Sequence, residues 1–292
     1  MLQPPALGLI SRRKSKMAVF RTDPCGIICI IITYAAVFYA DYVVVRHLAI
    51  PTMTTNLWGA FHVVLFNIVV FLLTLAHLRA VFSDPGIVPL PANNIDFSDV
   101  RSAGKRKLSE KEEDWTVCAR CDAYRPPRAH HCKICRRCIR RMDHHCPWIN
   151  NCVGELNQKF FIQFLFYTGL ACCYALMLVV ISWVIECTGP GCKVDHLGRQ
   201  TRIVHSVILT VEAILFGLFV SAIMCDQLSA IFTDETAVEQ IQKRGRERER
   251  PRKPKMALLA EVFGRGNSLM WLCPCQAAPD PQTISNPQEY DV

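Results

Sequence analysis

Cys118-Ala119-Arg120-Cys121, His130-His131-Cys132-Lys133-Ile134-Cys135-Arg136-Arg137-Cys138, Asp143-His144-His145-Cys146-Pro147-Trp148 and Asn151-Cys152 follow one another within 35 residues, and the rest of the chain is arranged around them. Thiolates and imidazoles at two-residue spacing suit a tetrahedral zinc ion, which takes four S or N ligands, often offered in pairs. Six cysteines and two histidines make eight ligands, enough for two closed sites, and leave one of the seven cysteines over. Cys146 is the natural remainder. It follows Asp143-His144-His145 directly, and a thiol beside an imidazole and a carboxylate is the arrangement of an activated nucleophile. On spacing alone the alternative stays open that Cys146 is a ligand and Cys152 the spare thiol. Residues 118–154 are too few and too polar for a hydrophobic core. Metal binding is therefore expected to hold them folded, with little regular structure beyond a hairpin at each Cys-x2-Cys.

Four apolar runs of at least 20 residues flank this stretch, at 25–45, 57–78, 160–185 and 203–225. A helix needs about 20 residues to cross a hydrocarbon core about 30 Å thick, and buried helices of soluble proteins usually stop short of that. The runs predict an all-α polytopic membrane protein. It has four transmembrane helices, with a small zinc-stabilised cysteine-rich domain between helices 2 and 3. Of the 33 lysines and arginines, fourteen fall in 79–158 and nine after residue 225, against one in 46–56 and three in 186–202. Excess positive charge stays cytosolic. The arm 1–24, the linker 79–117, the domain 118–154 and the tail 226–292 are therefore expected on that side. The net charge of +8 reads as this bias plus attraction to an anionic leaflet. Nucleic acid is not an expected partner, because the aromatic-basic surface it needs is missing. A cytosolic cluster stays reduced; only Cys187 and Cys192, in a lumenal loop, are candidates for a disulfide. The first span, without a small-residue cleavage site, reads as a retained anchor.

Smaller features follow in order. Pro51 interrupts the loop between the first two spans. Asp84-Pro85-Gly86 is a tight turn, since Pro presets φ and Gly accepts φ > 0. Residues 91–117 read as a linker, 244–255 as a solvated charge run and 277–292 as disordered. Residues 256–263 are apolar enough to lie along the membrane. The short tether between Val153 and Phe160 pins Cys146 near the membrane–cytosol boundary. Glu212 lies near the middle of the fourth span, where a carboxyl is a functional-site candidate by default, with Asn67 or His205 as possible partners.

His131-Cys132-x2-Cys135-x2-Cys138, Asp143 to Trp148 and Asn150-Asn151-Cys152-Val153-Gly154 resemble the cysteine-rich domain of the DHHC-type protein S-acyltransferases (palmitoyltransferases). With the flanking spans the resemblance covers roughly residues 20–275. It implies that Cys118, Cys121, His131 and Cys138 hold one structural zinc and Cys132, Cys135, His145 and Cys152 the other, with His130 an exposed bystander. It implies Cys146 as nucleophile, His144 as base and Asp143 as orienting group. The activity implied is ping-pong transfer of a palmitoyl group from acyl-CoA, through acyl-Cys146, to cysteines of membrane-associated proteins. Asp84-Pro85-Gly86 matches the family's Asp-Pro-Gly element. Thr236-Ala237-Val238-Glu239 matches its Thr-Thr-x-Glu, with Ala237 replacing the second threonine and putting that hydroxyl's contact in doubt. Positioning roles follow for Asp84, Pro85, Gly86, Thr236 and Glu239. Val262-Phe263-Gly264 looks like the family's C-terminal element.

Arg136, Arg137, Arg140 and Arg141 are candidates for the CoA phosphates, or equally for lipid headgroups. Ala171, twelve residues along the third helix and so about 18 Å deep, is the candidate floor for the acyl chain, with Gly169 just above it. Both are small, which predicts use of stearoyl as well as palmitoyl chains. The tail pattern is similar to the Golgi subgroup of the family. Tyr290-Asp291-Val292 suits strand addition to a PDZ domain. The competing reading is a zinc-dependent membrane adaptor without transferase activity, which would need no spare thiol beside a base.

Overall fold

The computed structural model describes residues 20–53, 57–90, 116–188, 196–242 and 251–278. The 91–115 segment of the linker, residues 244–250 of the charge run, the Tyr290-Asp291-Val292 terminus and Cys192 lie outside them. So does the arm before Phe20.

Helix α1 (Pro24–Val43) starts where its sequence says it should. Asp23 caps it, accepting from the Gly26 amide at 2.9 Å, and Pro24 takes the first turn, where no N–H is needed. Its far end differs from the expectation. In place of a loop from residue 46, the helix widens into a π turn, Val44–Ala49, and continues as α2 (Ile50–Met53). Pro51 has no N–H and its ring crowds the carbonyl four residues back. The Ile50 amide reaches back to the Val45 carbonyl, and the wider register takes up the misfit.

Helices α3 (Leu57–Phe82), α4 (Gln158–Thr188) and α5 (His196–Thr233) also outrun the apolar runs that predict them. Among the described residues four helices are long and apolar enough to cross a membrane. Large apolar side chains such as Ile31, Phe71 and Leu218 point outward, each more than 60 % exposed, as a lipid-facing surface requires.

Among the described residues between α3 and α4 are three separate antiparallel hairpins. These are β1 (Thr116–Cys118) with β2 (Ala123–Arg125), β3 (His130–Cys132) with β4 (Arg137–Ile139), and β5 (His144–Cys146) with β6 (Asn151–Val153). The register pairs His131 with Cys138 and His145 with Cys152. His130 is half-buried in β3, not exposed.

Three devices lock this domain to the helices. Asn151 Nδ2 donates to the carbonyls of Ala80, Val81 and Ser83 at 2.9–3.2 Å, satisfying the end of α3. Asn150, left-handed at φ 46°, donates to the Arg21 carbonyl at 2.6 Å. Gly26 admits that asparagine, since a Cβ there would lie 2.3 Å from its Oδ1. Asp84 Oδ1 accepts from the Gly86 and Ile87 amides at 2.8 Å, and the Gly86 carbonyl accepts from Arg140 N at 2.9 Å. The Asp-Pro-Gly turn is thereby stitched to β4.

Among the described residues two short α-helices follow α5, α6 (Ala237–Gln242) and α7 (Lys255–Phe263), and then a 3-10 turn, Ser268–Leu272. Residues 256–263, expected along the membrane, form α7, which also packs on protein. Leu258 and Val262 are buried against Ile162 of α4 and Ile231 of α5, so protein takes up that part of the helix's apolar face.

Candidate active site

Two ligand sets gather in the hairpins. Cys118, Cys121, His131 and Cys138 form one, and Cys132, Cys135, His145 and Cys152 the other; within each, the ligand atoms lie within 4.8 Å of one another. His131 Nδ1 stands 3.1–4.0 Å from its three sulfurs and His145 Nδ1 3.4–3.8 Å from its own. Zinc with bonds of about 2.3 Å to S and 2.05 Å to N would set ligand atoms about 3.6 Å apart, so donor type and spacing both fit. Each set is interleaved, taking its histidine and last cysteine from strands that pair with each other.

Cys146 belongs to neither set. It ends β5, is 3 % exposed, and packs with Phe161, Ile149 and Val153. His144, two residues back on the same face of the strand, hydrogen-bonds Asp143 directly, Nδ1 to Oδ2 at 2.7 Å. Burial disfavours the imidazolium, but the Asp143 carboxylate and the Cys146 sulfur outweigh it and lift the His144 pKa to about 9. Burial also opposes ionisation of Asp143, yet hydrogen bonds from His144, the Ala237 amide and Gln227 keep its carboxyl below the usual range.

Those last two donors tie the site to the end of α5 and to the chain just beyond it. Gln227 Nε2 donates to Asp143 Oδ2 at 2.7 Å and Ala237 N to Asp143 Oδ1 at 2.7 Å. The alanine in the Thr236–Glu239 element costs nothing at this contact, which the backbone makes. Thr236 and Glu239 cap α6 reciprocally: Thr236 N donates to Glu239 Oε2 at 2.9 Å, and Glu239 N to Thr236 Oγ1 at 3.3 Å. Arg128 then grips Glu239 at 2.8 and 3.0 Å and Asp234 at 2.9 Å.

An apolar cavity opens beside Cys146 and runs between the four long helices. Trp148 and Phe161 flank the thiol, and Phe66, Ala175 and Leu209 line the cavity farther along their helices. Ala171 is in the lining, and Ala175 continues it one turn deeper. Gly169 is not: it faces Val220 at 3.8 Å and lines a separate groove between α4 and α5.

Residues 111–244 match the family described as DHHC palmitoyltransferase. Palmitoyltransferase ZDHHC3 of Homo sapiens is 37 % identical over 273 residues, covering 94 % of this chain and 88 % of that one. Palmitoyltransferase ZDHHC7 of Mus musculus is 34 % identical over 259 residues, covering 87 % and 80 %. Probable protein S-acyltransferase 12 of Arabidopsis thaliana is 30 % identical over 268 residues, covering 89 % and 91 %. The chain belongs to the DHHC palmitoyltransferase family.

For a DHHC palmitoyltransferase the four arginines proposed for CoA are unequally placed. Arg141 is engaged by Asp234 and Glu261, each at 3.2 Å, and Arg140 by Glu155 at 3.2 Å. Arg136 is exposed at the β3–β4 turn, and Arg137 keeps one buried guanidinium nitrogen without a hydrogen-bond partner. Sequence reasoning missed Gln227, Arg128 and His77. The last is fully buried on α3, with Nδ1 at 3.0 Å from Tyr34 OH and Nε2 at 3.0 Å from the Trp148 carbonyl. A histidine and a glutamine at the edges of apolar runs were the available signal.

Proposed function

We propose that this DHHC palmitoyltransferase is a multi-pass Golgi enzyme, with both termini and the cysteine-rich domain cytosolic. It moves a long-chain acyl group from palmitoyl-CoA to cysteines of membrane-associated proteins. The observation that carries the reading is the position of Cys146. It lies outside both ligand sets, beside the Asp143–His144 pair, at one end of an apolar cavity among the spans.

In the first half-reaction His144 takes the Cys146 proton and the thiolate sulfur attacks the acyl-CoA carbonyl. The new S–C bond forms as the bond to the CoA sulfur breaks, and CoA leaves carrying the proton from His144. In the second, a substrate thiol gives its proton to His144 and attacks the acyl-Cys146 carbonyl, and Cys146 leaves reprotonated. Both steps exchange one thioester for another, so positioning dominates. Asp143 keeps His144 in one tautomer, and the cavity shelters the chain. Cys118, Cys121, His131 and Cys138, and separately Cys132, Cys135, His145 and Cys152, would hold two zinc ions. The metal supplies folding free energy to the domain, all four positions of each site being filled by protein. Arg136 and Arg137 are the arginines best placed for the CoA phosphates, with Arg140 and Arg141 completing the field.

Incubation with alkyne-palmitoyl-CoA tests this: a hydroxylamine-labile label is expected on wild type and absent from Cys146→Ser, which keeps two zincs per chain. Loss of zinc in Cys146→Ser would overturn the ligand assignment. The last ten residues are proposed to bind a PDZ domain; equal binding by a peptide lacking Val292 removes that partner.

A further inference from the structure

Glu212 lines the same cavity as Cys146. It is the one carboxylate among the described lining residues, whose other members are almost all apolar. The partners suggested by sequence are engaged elsewhere. His205 Nδ1 meets Tyr39 OH at 3.0 Å, and Asn67 donates to the Val63 carbonyl at 3.0 Å. Among the described residues nothing donates to or accepts from the Glu212 carboxyl. A carboxyl within a membrane span, facing an apolar cavity and left without a hydrogen bond, calls for a partner that the fold does not supply.

Depth says where on a ligand that partner would be. Ile223 lines the cavity on the same helix near the thiol, and Glu212 is eleven residues farther along, about 16 Å at 1.5 Å per residue. An extended sixteen-carbon chain on Cys146 has comparable length, so its methyl end comes level with the carboxyl. A plain alkyl end has nothing to offer there.

We propose that Glu212 is a specificity-determining residue that recognises a hydroxyl near the methyl end of the acyl chain. The donors of this enzyme then include long-chain acyl-CoAs hydroxylated at that end. The inference rests on the acyl-transfer reading above. The transfer is unchanged: the Cys146 sulfur–carbonyl bond forms, the CoA sulfur–carbonyl bond breaks, CoA leaves as the thiol with the Cys146 proton, and the distal hydroxyl does not react. In a cavity without Glu212 that hydroxyl would be buried unpaired, which disfavours it by about tenfold or more.

Full-length protein in lipid nanodiscs is given palmitoyl-CoA and ω-hydroxypalmitoyl-CoA in equal amounts, and the adducts on the Cys146 peptide are compared by mass spectrometry. In wild type the hydroxylated adduct is expected within about threefold of the palmitoyl adduct. In Glu212→Leu the ratio should fall about tenfold; in Glu212→Gln, which keeps a hydrogen-bonding group, it should stay close to wild type. A wild-type enzyme that rejects the hydroxylated chain by more than tenfold overturns the assignment without any variant, as does an unchanged ratio in a zinc-replete Glu212→Leu. Absence of any palmitoyl adduct on Cys146 is a different result and removes the acyl-transfer reading itself.

Discussion

Asp143 accepts three hydrogen bonds on two carboxylate oxygens, from His144, Gln227 and the Ala237 amide, and in the proposed mechanism this sets how well His144 serves as a base. Removing the imidazole removes the base: His144→Ala is expected to slow Cys146 acylation by roughly 10²–10⁴-fold, measured as single-turnover CoA release. Gln227→Leu leaves Asp143 with two donors and releases one constraint on its orientation. One hydrogen bond to a charged group is worth about 1.5 kcal/mol, so a loss of about tenfold is expected, with zinc content unchanged. A Gln227→Leu enzyme as fast as wild type would mean that the other two donors suffice to orient Asp143.

The short helix α6 has too few turns to be stable by itself, and it holds because its cap is reciprocal and its acid is gripped. Arg128, Asp234 and Glu239 form a nearly enclosed cluster, with side-chain exposures of 13 %, 2 % and 5 %. Taking away the cation leaves two carboxylates buried without it, which costs about 3 kcal/mol. Arg128→Ala is expected to lower the thermal midpoint of the solubilised protein and, by loosening the Ala237 amide from Asp143, to slow acylation. Burial raises the Asp234 pKa, but Arg128, Arg141 and Lys253 pull it below the ordinary value. A carboxyl with a depressed folded-state pKa stabilises the fold above its unfolded pKa of about 3.9 and loses that as pH falls through the folded value. Acidification below about pH 4 should therefore weaken wild type more than Asp234→Asn, a difference that denaturation midpoints across pH will read.

On the acyl-transfer reading, four spans around a common cavity make acyl selectivity a property of the whole bundle. Ala171 lines it a turn nearer the thiol than Ala175. Ala171→Phe would fill the space beyond and shift preference toward myristoyl, since each methylene left unburied forfeits about 0.8 kcal/mol, several-fold in rate. Wild type is expected to take stearoyl as well as palmitoyl. Competition of the three acyl-CoAs for Cys146 checks both, and an unchanged ranking in the variant would refute the floor assignment. The cysteine-rich domain is joined to this bundle by Asn150, Asn151 and the Asp84 turn, while its own interior is largely thiol and imidazole. Cys121→Ser or Cys135→Ser should therefore lose metal, loosen the domain and abolish acylation together, read by zinc content alongside autoacylation.

Ligand chemistry, the spare thiol and the existence of four spans were legible in the chain because each is local. Cys-x2-Cys spacing, Asp143-His144-His145-Cys146 and runs of twenty apolar residues carry their meaning within a short window. The division of ligands into two interleaved sets needed the family resemblance, since strand pairing across β3–β4 and β5–β6 decides it. Other features came only with the tertiary structure. The π turn before Pro51 depends on the whole helix continuing through a residue that usually stops one. Gln227, Arg128 and Asp234 look like ordinary polar residues until α5 and α6 fold back on the hairpins, bringing Gln227 to Asp143, 84 positions away, and Asp234 to Arg128. Which face of α4 meets the cavity, taking Ala171 in and leaving Gly169 out, is set by the packing of α4 against α3 and α5. Nearly uniform apolar helices carry little periodicity to reveal it.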